Sequence, residues 1–256
     1  MKVSADELRE RHTRSHERFY KLFANASEGG RTIMFDGAVI AALMPVLPHR
    51  SLPNGVTYRD PSMVEPVLTE LSGLYESAGI TAWTVWVLPG DEEQLRPVLE
   101  AHGHTLDGTP ELMGAVIGDC ELTPATEIRI DEGTREEVGE LNDIAWGNED
   151  PDYTLLLRNL PDAVLRYVAR DDDGRPIGST LAIHAKGDCY ITFVSAHPDV
   201  RGRGVASDLM KAALRDALEA GCVTTTLEAS AMGRSAYRRM GYKDLGALQM
   251  YEKRAD

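Results

Sequence analysis

The sequence is poor in cysteine, in aromatic residues and in positive charge. Its 256 residues include three cysteines and 6% aromatic residues, with 27 Lys and Arg against 41 Asp and Glu. The cysteines are odd in number and widely spaced, and no Cys-x-x-Cys pair or Cys/His cluster provides the ligand spacing of a zinc site. This pattern favours a reducing cytoplasm and predicts no bound metal.

The formal net charge of -14 and the lack of long apolar runs argue against two kinds of partner. An acidic chain repels a phosphate backbone, so we expect no nucleic acid. No segment approaches the roughly 18 uninterrupted apolar residues of a membrane helix, and the charged N-terminus lacks the apolar core of a signal peptide. We therefore expect no membrane partner. The charge suits a cationic small molecule or basic peptide, although solubility explains it more simply.

The hydrophobic content of 43% is sufficient for packed cores, and the length allows two modest domains or one large one. Hydrophobic periodicity and turn residues predict the elements of the first half. These are a helix at 6–24, strands at 32–35 and 38–43 around the turn Asp36-Gly37, a helix at 64–75 with its stop at Gly79, a strand at 81–88, a helix at 92–102 and a strand at 112–117.

The second half has the same mixed α/β character. Its predicted strands are at 127–130, 165–169, 177–184, 189–196, 223–227 and 247–252, and its predicted helices are at 134–145, 153–158, 204–220 and 234–240. Aligning Gly103 with Gly241 gives each half the same ending, a strand, a short helix closed by glycine, and a last strand that contains Met113 or Met250. We therefore expect two similarly folded domains, 1–122 and 123–256, joined near Thr123-Pro124.

The most informative segment is AHPDVRGRGVASDLMKAAL, where an apolar strand enters a glycine-rich turn that begins a long helix. Such a turn presents unpaired backbone N–H groups at a helix N-terminus, where they and the helix dipole bind phosphate oxygens. Gly202 and Gly204 let an anion approach the backbone, and Arg201 and Arg203 either contact the phosphates or point to solvent. The predicted binding residues are Arg201, Gly202, Arg203, Gly204, Val205 and Ala206.

This segment resembles the acetyl-coenzyme A motif of the GNAT superfamily of N-acetyltransferases. Arg201, Gly204 and Ala206 match its pattern of Arg or Gln, two residues, Gly, one residue, and Gly or Ala. Pro198 and the ending S-x-x-G-x-x-x-Y-x-x-x-G-[FY], which is Ser230 to Tyr242 here, also match. The resemblance covers about residues 127–254. Together with the similar endings of the two halves, this resemblance implies two GNAT-like domains of α+β type. Each would be a mixed, mostly antiparallel sheet flanked by helices.

The resemblance also implies what several side chains do. Val194, Ser195 and Ala196 would contact the pantetheine arm of acetyl-CoA, which pairs with the strand before the motif like an added strand. Tyr237 matches the tyrosine that gives a proton to the departing coenzyme A thiolate, although a helical Tyr at this position can also simply pack against the sheet. Ser230 either hydrogen-bonds the cofactor or caps the helix that follows.

The general base that takes a proton from the amine is not fixed by the motif. Glu228, at the end of its strand, is the first candidate and His197 is the second, and both can instead be ordinary polar residues. The segment 146–152 lies where these enzymes commonly shape the acceptor pocket. Its carboxylates either attract a cationic amine or form a solvated loop.

The first half lacks the functional residues of the second. Leu99 aligns with Tyr237, and the turn YRDPSMVEPVL contains Pro61 and Pro66, which remove two N–H donors. We therefore expect a degenerate first domain that does not bind the cofactor and a second domain that acetylates a primary amine of a small molecule or peptide. Transfer of a longer acyl group, transfer to a hydroxyl, and non-catalytic sensing of acyl-CoA remain alternatives. A homodimer is compatible with each.

Overall fold

The computed structural model describes residues 3–255, which form a mixed α/β structure with helices flanking two mostly antiparallel sheets, as the sequence predicts. The helices are α1 (Ala5–Ala26), α2 (Leu68–Ser77), α3 (Glu92–Ala101), α4 (Arg135–Trp146), α5 (Asp152–Leu157), α6 (Val205–Glu219) and α7 (Arg234–Met240). Single 3₁₀ turns lie at Pro61–Met63, Glu65–Val67, Ile117–Asp119 and Pro198–Val200. Within the described range, no helix combines the length and the apolar composition needed to cross a membrane.

The strands divide between a six-stranded and a seven-stranded sheet. In chain order they are β1 (Arg31–Phe35), β2 (Val39–Leu43), β3 (Gly55–Tyr58), β4 (Ala82–Val87), β5 (Thr105–Gly108), β6 (Glu111–Val116), β7 (Arg129–Glu132), β8 (Val164–Arg170), β9 (Pro176–Ala185), β10 (Asp188–Ala196), β11 (Thr224–Ala229), β12 (Lys243–Ala247) and β13 (Gln249–Arg254). The six-stranded sheet has the order β1-β2-β3-β4-β13-β5, and the seven-stranded sheet has the order β12-β6-β11-β10-β9-β8-β7.

The chain forms two compact units that are each discontinuous in sequence. The larger unit contains Leu112–Leu245 and the described residues through Ser15, and the smaller unit contains His16–Glu111 and the described residues from Gly246 onward. Strand β6 of the first half lies in the sheet of the larger unit, and β13 of the second half lies in the sheet of the smaller unit. A single boundary at residue 122 therefore does not describe these units, because backbone pairing decides which sheet a strand joins.

Helices α4 and α6 cover opposite faces of the sheet of the larger unit. The amide of Asn142 in α4 donates to the hydroxyl of Ser179 in β9 at 3.3 Å. On the preceding residue, Gly178, a Cβ atom would lie 2.8 Å from Val205 and 3.2 Å from Leu209 of α6. Since successive strand residues point to opposite faces, glycine at this position allows α6 to pack closely on its face.

Most predicted elements are present, and their turns have the expected conformations. Asp36 and Gly37 both have positive φ, at 46° and 71°, so the predicted hairpin turn between β1 and β2 is confirmed. The helix predicted at 64–75 begins as an α-helix only at Leu68, because Pro66 favours a 3₁₀ turn before it. The four-residue strands β3 and β5 were not predicted, and the final predicted strand is two strands, β12 and β13.

Candidate active site

Strands β10 and β11 of the larger unit separate along their length. They pair in parallel only from Asp188 opposite Thr224 to Tyr190 opposite Thr226. Both strands continue beyond this point, β10 to Ala196 and β11 to Ala229. The C-terminal part of β10 therefore presents an edge that β11 does not cover, which is the opening that an inserted extended ligand requires.

A bulge shapes β10 at this opening. Its register with β9 shifts from Thr192 opposite Leu181 to Ser195 opposite Ser179. Across this interval β10 has one residue more than β9, and the bulge is therefore at Phe193 and Val194. Phe193 has φ of 52°, which is uncommon for a residue other than glycine and marks local strain. Sequence reasoning named Val194, Ser195 and Ala196 but missed Phe193, since nothing in the residue type indicates a positive φ.

The three strand residues named from sequence have different surroundings. Ser195 is buried and its hydroxyl is 2.8 Å from that of Ser179, so this side chain belongs to the sheet interior. Val194 is half-buried and packs against the apolar core of the larger unit, and Ala196 is also half-buried. A ligand at this edge would therefore meet backbone groups more than side chains.

The turn that follows β10 has the geometry of an anion site. Gly202 and Gly204 both have positive φ, at 77° and 86°, and a Cβ on Gly204 would meet only Thr126, at 3.5 Å. Internal hydrogen bonds occupy the N–H groups of Arg201, Arg203 and Asp208. Five other N–H groups of this region have no hydrogen-bond acceptor within residues 3–255. They are those of Gly202, Gly204, Val205, Ala206 and Ser207. These donors converge at the N-terminus of α6.

The charged residues of the turn are exposed. Arg201 donates to the carbonyl of Ala145 at 2.6 Å, which links the turn to the end of α4, and Arg203 is exposed beside it. A cleft of about 710 Å³ opens next to Arg203 and is also lined by Val200 and Val205. His197, the second candidate base, accepts from the N–H of Asp199 at 3.3 Å and so caps the 3₁₀ turn.

Asp208 fixes the first turn of α6. Its carboxylate, which is 2% exposed, accepts from the N–H groups of Ala125 and Thr126 at 2.8 and 2.9 Å, and from the hydroxyl of Thr126 at 2.7 Å. Lys211 lies 3.2 Å away. Burial acts to raise the pKa of Asp208, but these hydrogen bonds outweigh burial and lower it. The linker predicted near Thr123-Pro124 is thus bound to the helix that presents the N–H donors.

Tyr237 lies on α7 and packs against the apolar core of the larger unit. Its ring is so close to Gly233 that a Cβ there would come within 2.8 Å of it. Burial raises the pKa of Tyr237 to about 12. Ser230 is exposed, and its hydroxyl accepts from the N–H of Gly233 at 3.3 Å, which favours a role in the turn before α7.

Glu228 lies on β11 beyond the point where β10 and β11 separate. Tyr190 donates to its Oε2 at 2.6 Å, and His12 of α1 is hydrogen-bonded to its Oε1. The side chain of Glu228 is 13% exposed, whereas that of His12 is fully buried. Sequence reasoning missed His12, because a histidine in a polar helix 216 residues before Glu228 gives no sign of this contact.

The segment between α4 and α5 is organised by one carboxylate. Asp143 accepts from the N–H groups of Tyr153 and Thr154 at 2.9 and 3.0 Å, and from Asn148 at 3.1 Å. The ring of Tyr153 packs edge-on against Phe193, with centroids 5.5 Å apart. This contact brings the start of α5 to the bulge of β10.

In the corresponding turn of the smaller unit, several backbone donors are occupied. The carboxylate of Asp60 accepts from the N–H of Ser62 at 3.0 Å, and the N–H groups of Met63 and Val64 bond to nearby carbonyls. Tyr58, at the end of β3, donates to Asp91 and accepts from the N–H of Leu88, both at 2.9 Å. This phenol therefore links the end of β3 to the residue that follows β4.

Two comparisons with known proteins identify relatives of the chain. Residues 126–242 match the sequence model of the Acetyltransferase (GNAT) family. No curated protein matches the chain. A GCN5-related N-acetyltransferase from Kribbella flavida has a similar structure, with a TM-score of 0.65, 18% identity, and coverage of 94% of this chain and 96% of that one.

Two further solved structures are similar over most of the chain. A GCN5-related N-acetyltransferase from Sphaerobacter thermophilus has a TM-score of 0.58 and 19% identity, with 87% of this chain and 82% of that one covered. A tandem GNAT protein from the clavulanic acid biosynthesis pathway has a TM-score of 0.64 and 12% identity, with 99% and 97% covered. At these identities the similarity establishes the fold, including its extension over both halves.

Proposed function

We propose that the chain transfers an acetyl group from acetyl-CoA to a primary amine of a small molecule or peptide, because residues 126–242 match the model of the Acetyltransferase (GNAT) family. One observation carries most of this proposal: the available N–H donors from Gly202 to Ser207 lie directly after the uncovered edge of β10. Phosphates at the turn and an extended arm along that edge require these two features together.

The residues fit an acyl-CoA. The positive φ of Gly202 and Gly204 aligns the backbone donors for the pyrophosphate, and Arg203 adds positive charge next to them. The bulge at Phe193 and Val194 leaves backbone groups of β10 for the amide groups of the pantetheine arm. When bound, acyl-CoA supplies an activated thioester carbonyl.

Glu228 is our candidate for the base. A primary amine is mostly protonated at neutral pH and must lose a proton before it attacks a carbonyl carbon. Tyr190 holds Oε2 of Glu228 and His12 holds Oε1, and Glu228 lies on β11 beyond the point where β10 and β11 separate. Its partial exposure leaves it reachable from outside the sheet.

Tyr237 is our candidate for the donor to the leaving sulfur. With its pKa raised to about 12, the phenol stays protonated at neutral pH. Complete transfer to a thiolate whose thiol has a pKa near 8.5 would be uphill by several pKa units. Tyr237 therefore stabilises the charge that develops on sulfur by donating a hydrogen bond as the C–S bond breaks.

The first half, residues 1–122, has no cofactor role in this proposal. Its turn has no glycine, the N–H groups of Ser62, Met63 and Val64 are occupied, and the residue that aligns with Tyr237 is the buried Leu99. Cys120, Cys189 and Cys222 are all free thiols, which supports a cytoplasmic location.

The first test is a calorimetric titration of the full chain with acetyl-CoA. We expect saturable one-site binding that Gly204→Trp abolishes, because the indole fills the approach to the N–H donors. Ser62→Trp, at an exposed residue of the corresponding turn, is the matched control and should bind like the native chain. Native binding with release of free thiol in the presence of an amine, and an acetyl mass increment on that amine, would support the proposal. Lack of binding would refute it.

A further inference from the structure

The N-terminal part of α1 belongs to the larger unit, although a long stretch of sequence separates it from the rest of that unit. Arg9 donates to the carbonyl of Leu245 at 2.8 Å, and Arg11 donates to the hydroxyl of Thr224 at 3.1 Å. The hydroxyl of Ser15 donates to Asp188 at 2.8 Å. These contacts attach one segment of α1 to both strands that border the separation of β10 and β11.

His12 makes a different kind of contact from its neighbours. Arg11 and Ser15 contact the paired start of the two strands, where Thr224 and Asp188 are partners in the register. His12 reaches Glu228, which lies beyond the paired region, and its ring is 5.9 Å from that of Tyr190. The imidazole and the phenol thus bind the two oxygens of one carboxylate.

His12, Tyr190 and Glu228 differ in solvent exposure, which indicates different roles. His12 is fully buried and Tyr190 is 2% exposed, whereas the side chain of Glu228 keeps 13%. An acceptor can therefore reach the carboxylate but not the imidazole. Burying polar groups is unfavourable unless they are hydrogen-bonded, so the buried His12 and Tyr190 keep their bonds to Glu228 and fix the orientation of its carboxylate.

We propose that His12, supplied by the N-terminal helix, is a positioning residue that holds the Glu228 carboxylate in the orientation needed to deprotonate the acceptor amine. In that step an N–H bond of the ammonium breaks, its electron pair stays on nitrogen, and an O–H bond forms at Glu228. The inference rests on the proposed function. It also gives the first half a role that requires no cofactor, because the segment through Ser15 completes the larger unit.

The test compares His12→Leu, which removes the ring nitrogens, with His12→Gln, whose amide can donate from about the position of Nε2. The acceptor is the amine with the highest turnover among spermidine, glucosamine and phenylethylamine. We expect His12→Leu to lower kcat by about ten- to a hundredfold and His12→Gln to recover most of the loss. The Kd for acetyl-CoA, measured by calorimetry, should stay within about twofold, since the turn before α6 is unchanged.

Ser15→Ala is the matched control on the same helix. It removes a buried hydrogen bond to Asp188, so we expect a lower Tm with kcat unchanged. Combining His12→Leu with Glu228→Gln should cost no more than Glu228→Gln alone, because a positioning residue acts only through its partner. If His12→Leu does not fold, His12→Asn replaces it, since its shorter amide cannot reach the Nε2 position.

Three results would overturn the inference while leaving the proposed function intact. These are native kcat in His12→Leu, an equal loss of kcat in Ser15→Ala, and independent effects in the double variant. Acetyl-CoA binding without turnover of any of the three amines by the native chain would instead overturn both.

Discussion

The turn at Arg201–Ala206 and the turn at Tyr58–Leu68 have the same place in the order of elements, after a strand that pairs in parallel with the next strand of its sheet. In the first turn, positive φ at Gly202 and Gly204 leaves backbone donors available. In the second, the Asp60 side chain and nearby carbonyls accept from the N–H groups. The Asp60 carboxylate thus accepts from a backbone donor of this turn.

The strand ends differ in the same way. Beyond Tyr190, β10 and β11 separate and leave an edge uncovered. At the end of β3, the buried phenol of Tyr58 bonds to Asp91 and to the N–H of Leu88. The two halves therefore share this arrangement of strands but differ in the backbone donors of the turn and in the strand edge beyond the paired region.

The largest effect should come from closing the open turn. Gly204→Trp places a bulky side chain at a residue with φ of 86° and in front of the N–H donors. We expect acetyl-CoA binding to fall by more than about a hundredfold by calorimetry. Equal loss of binding in Ser62→Trp would contradict the contrast between the two turns.

We expect the second-largest effect at Tyr237, whose aligned counterpart in the first half is Leu99. Tyr237→Phe should lower kcat by about ten- to a thousandfold while the Kd for acetyl-CoA stays nearly constant. Because the pKa of Tyr237 is raised to about 12, the phenol should cause no loss of kcat between pH 7 and 10. Unchanged kcat in Tyr237→Phe would assign this residue to packing alone.

The third effect compares Asp208 with Asp60, the carboxylates that organise each turn. Asp208 is buried and Asp60 is exposed. Asp208→Ala should lower the free energy of unfolding in urea by about 2 to 3 kcal/mol, because it leaves N–H groups and Lys211 without their partner. Asp60→Ala should lower it much less, because the Asp60 carboxylate is exposed to solvent. An equal loss of unfolding free energy in the two variants would contradict this difference between the two carboxylates.

The contribution of Asp208 should also depend on pH. Its pKa is lowered in the folded chain, so the unfolded chain binds a proton first as the pH falls. The stabilisation is therefore complete above about pH 4, the ordinary range of the carboxyl, and is lost as pH falls through the lower folded value. The difference between the native chain and Asp208→Ala should shrink in that window, and a difference that grows toward low pH would contradict this assignment.

The smallest effect concerns the arginines. Arg203 is exposed next to the open turn, whereas Arg59 is paired with Glu17 through two nitrogen–oxygen contacts. Arg203→Gln should weaken acetyl-CoA binding by about two- to fivefold and reduce its dependence on salt. Arg59→Gln should leave binding unchanged, and a similar loss there would indicate cofactor contact with the first half.

The sequence predicted local features well because they depend on neighbouring residues. The helix predicted at 134–145 is present as α4, and it begins with a capping box formed by Thr134 and Glu137, three residues apart. The closing glycines Gly103 and Gly241 both have positive φ, as the alignment of the two endings requires. Short strands were missed where the local signal is weak, since β3 has four residues in a segment punctuated by proline and glycine.

The sequence by itself determined the fold class, most of the helices and strands, and the glycine turn, because periodicity, caps and turn residues act over a few positions. Only the tertiary structure decided which sheets β6 and β13 join, that β10 and β11 separate after Tyr190, and that His12 meets Glu228. Backbone pairing and side-chain contacts between residues far apart in sequence depend on how whole elements pack. No short pattern of residues specifies that packing.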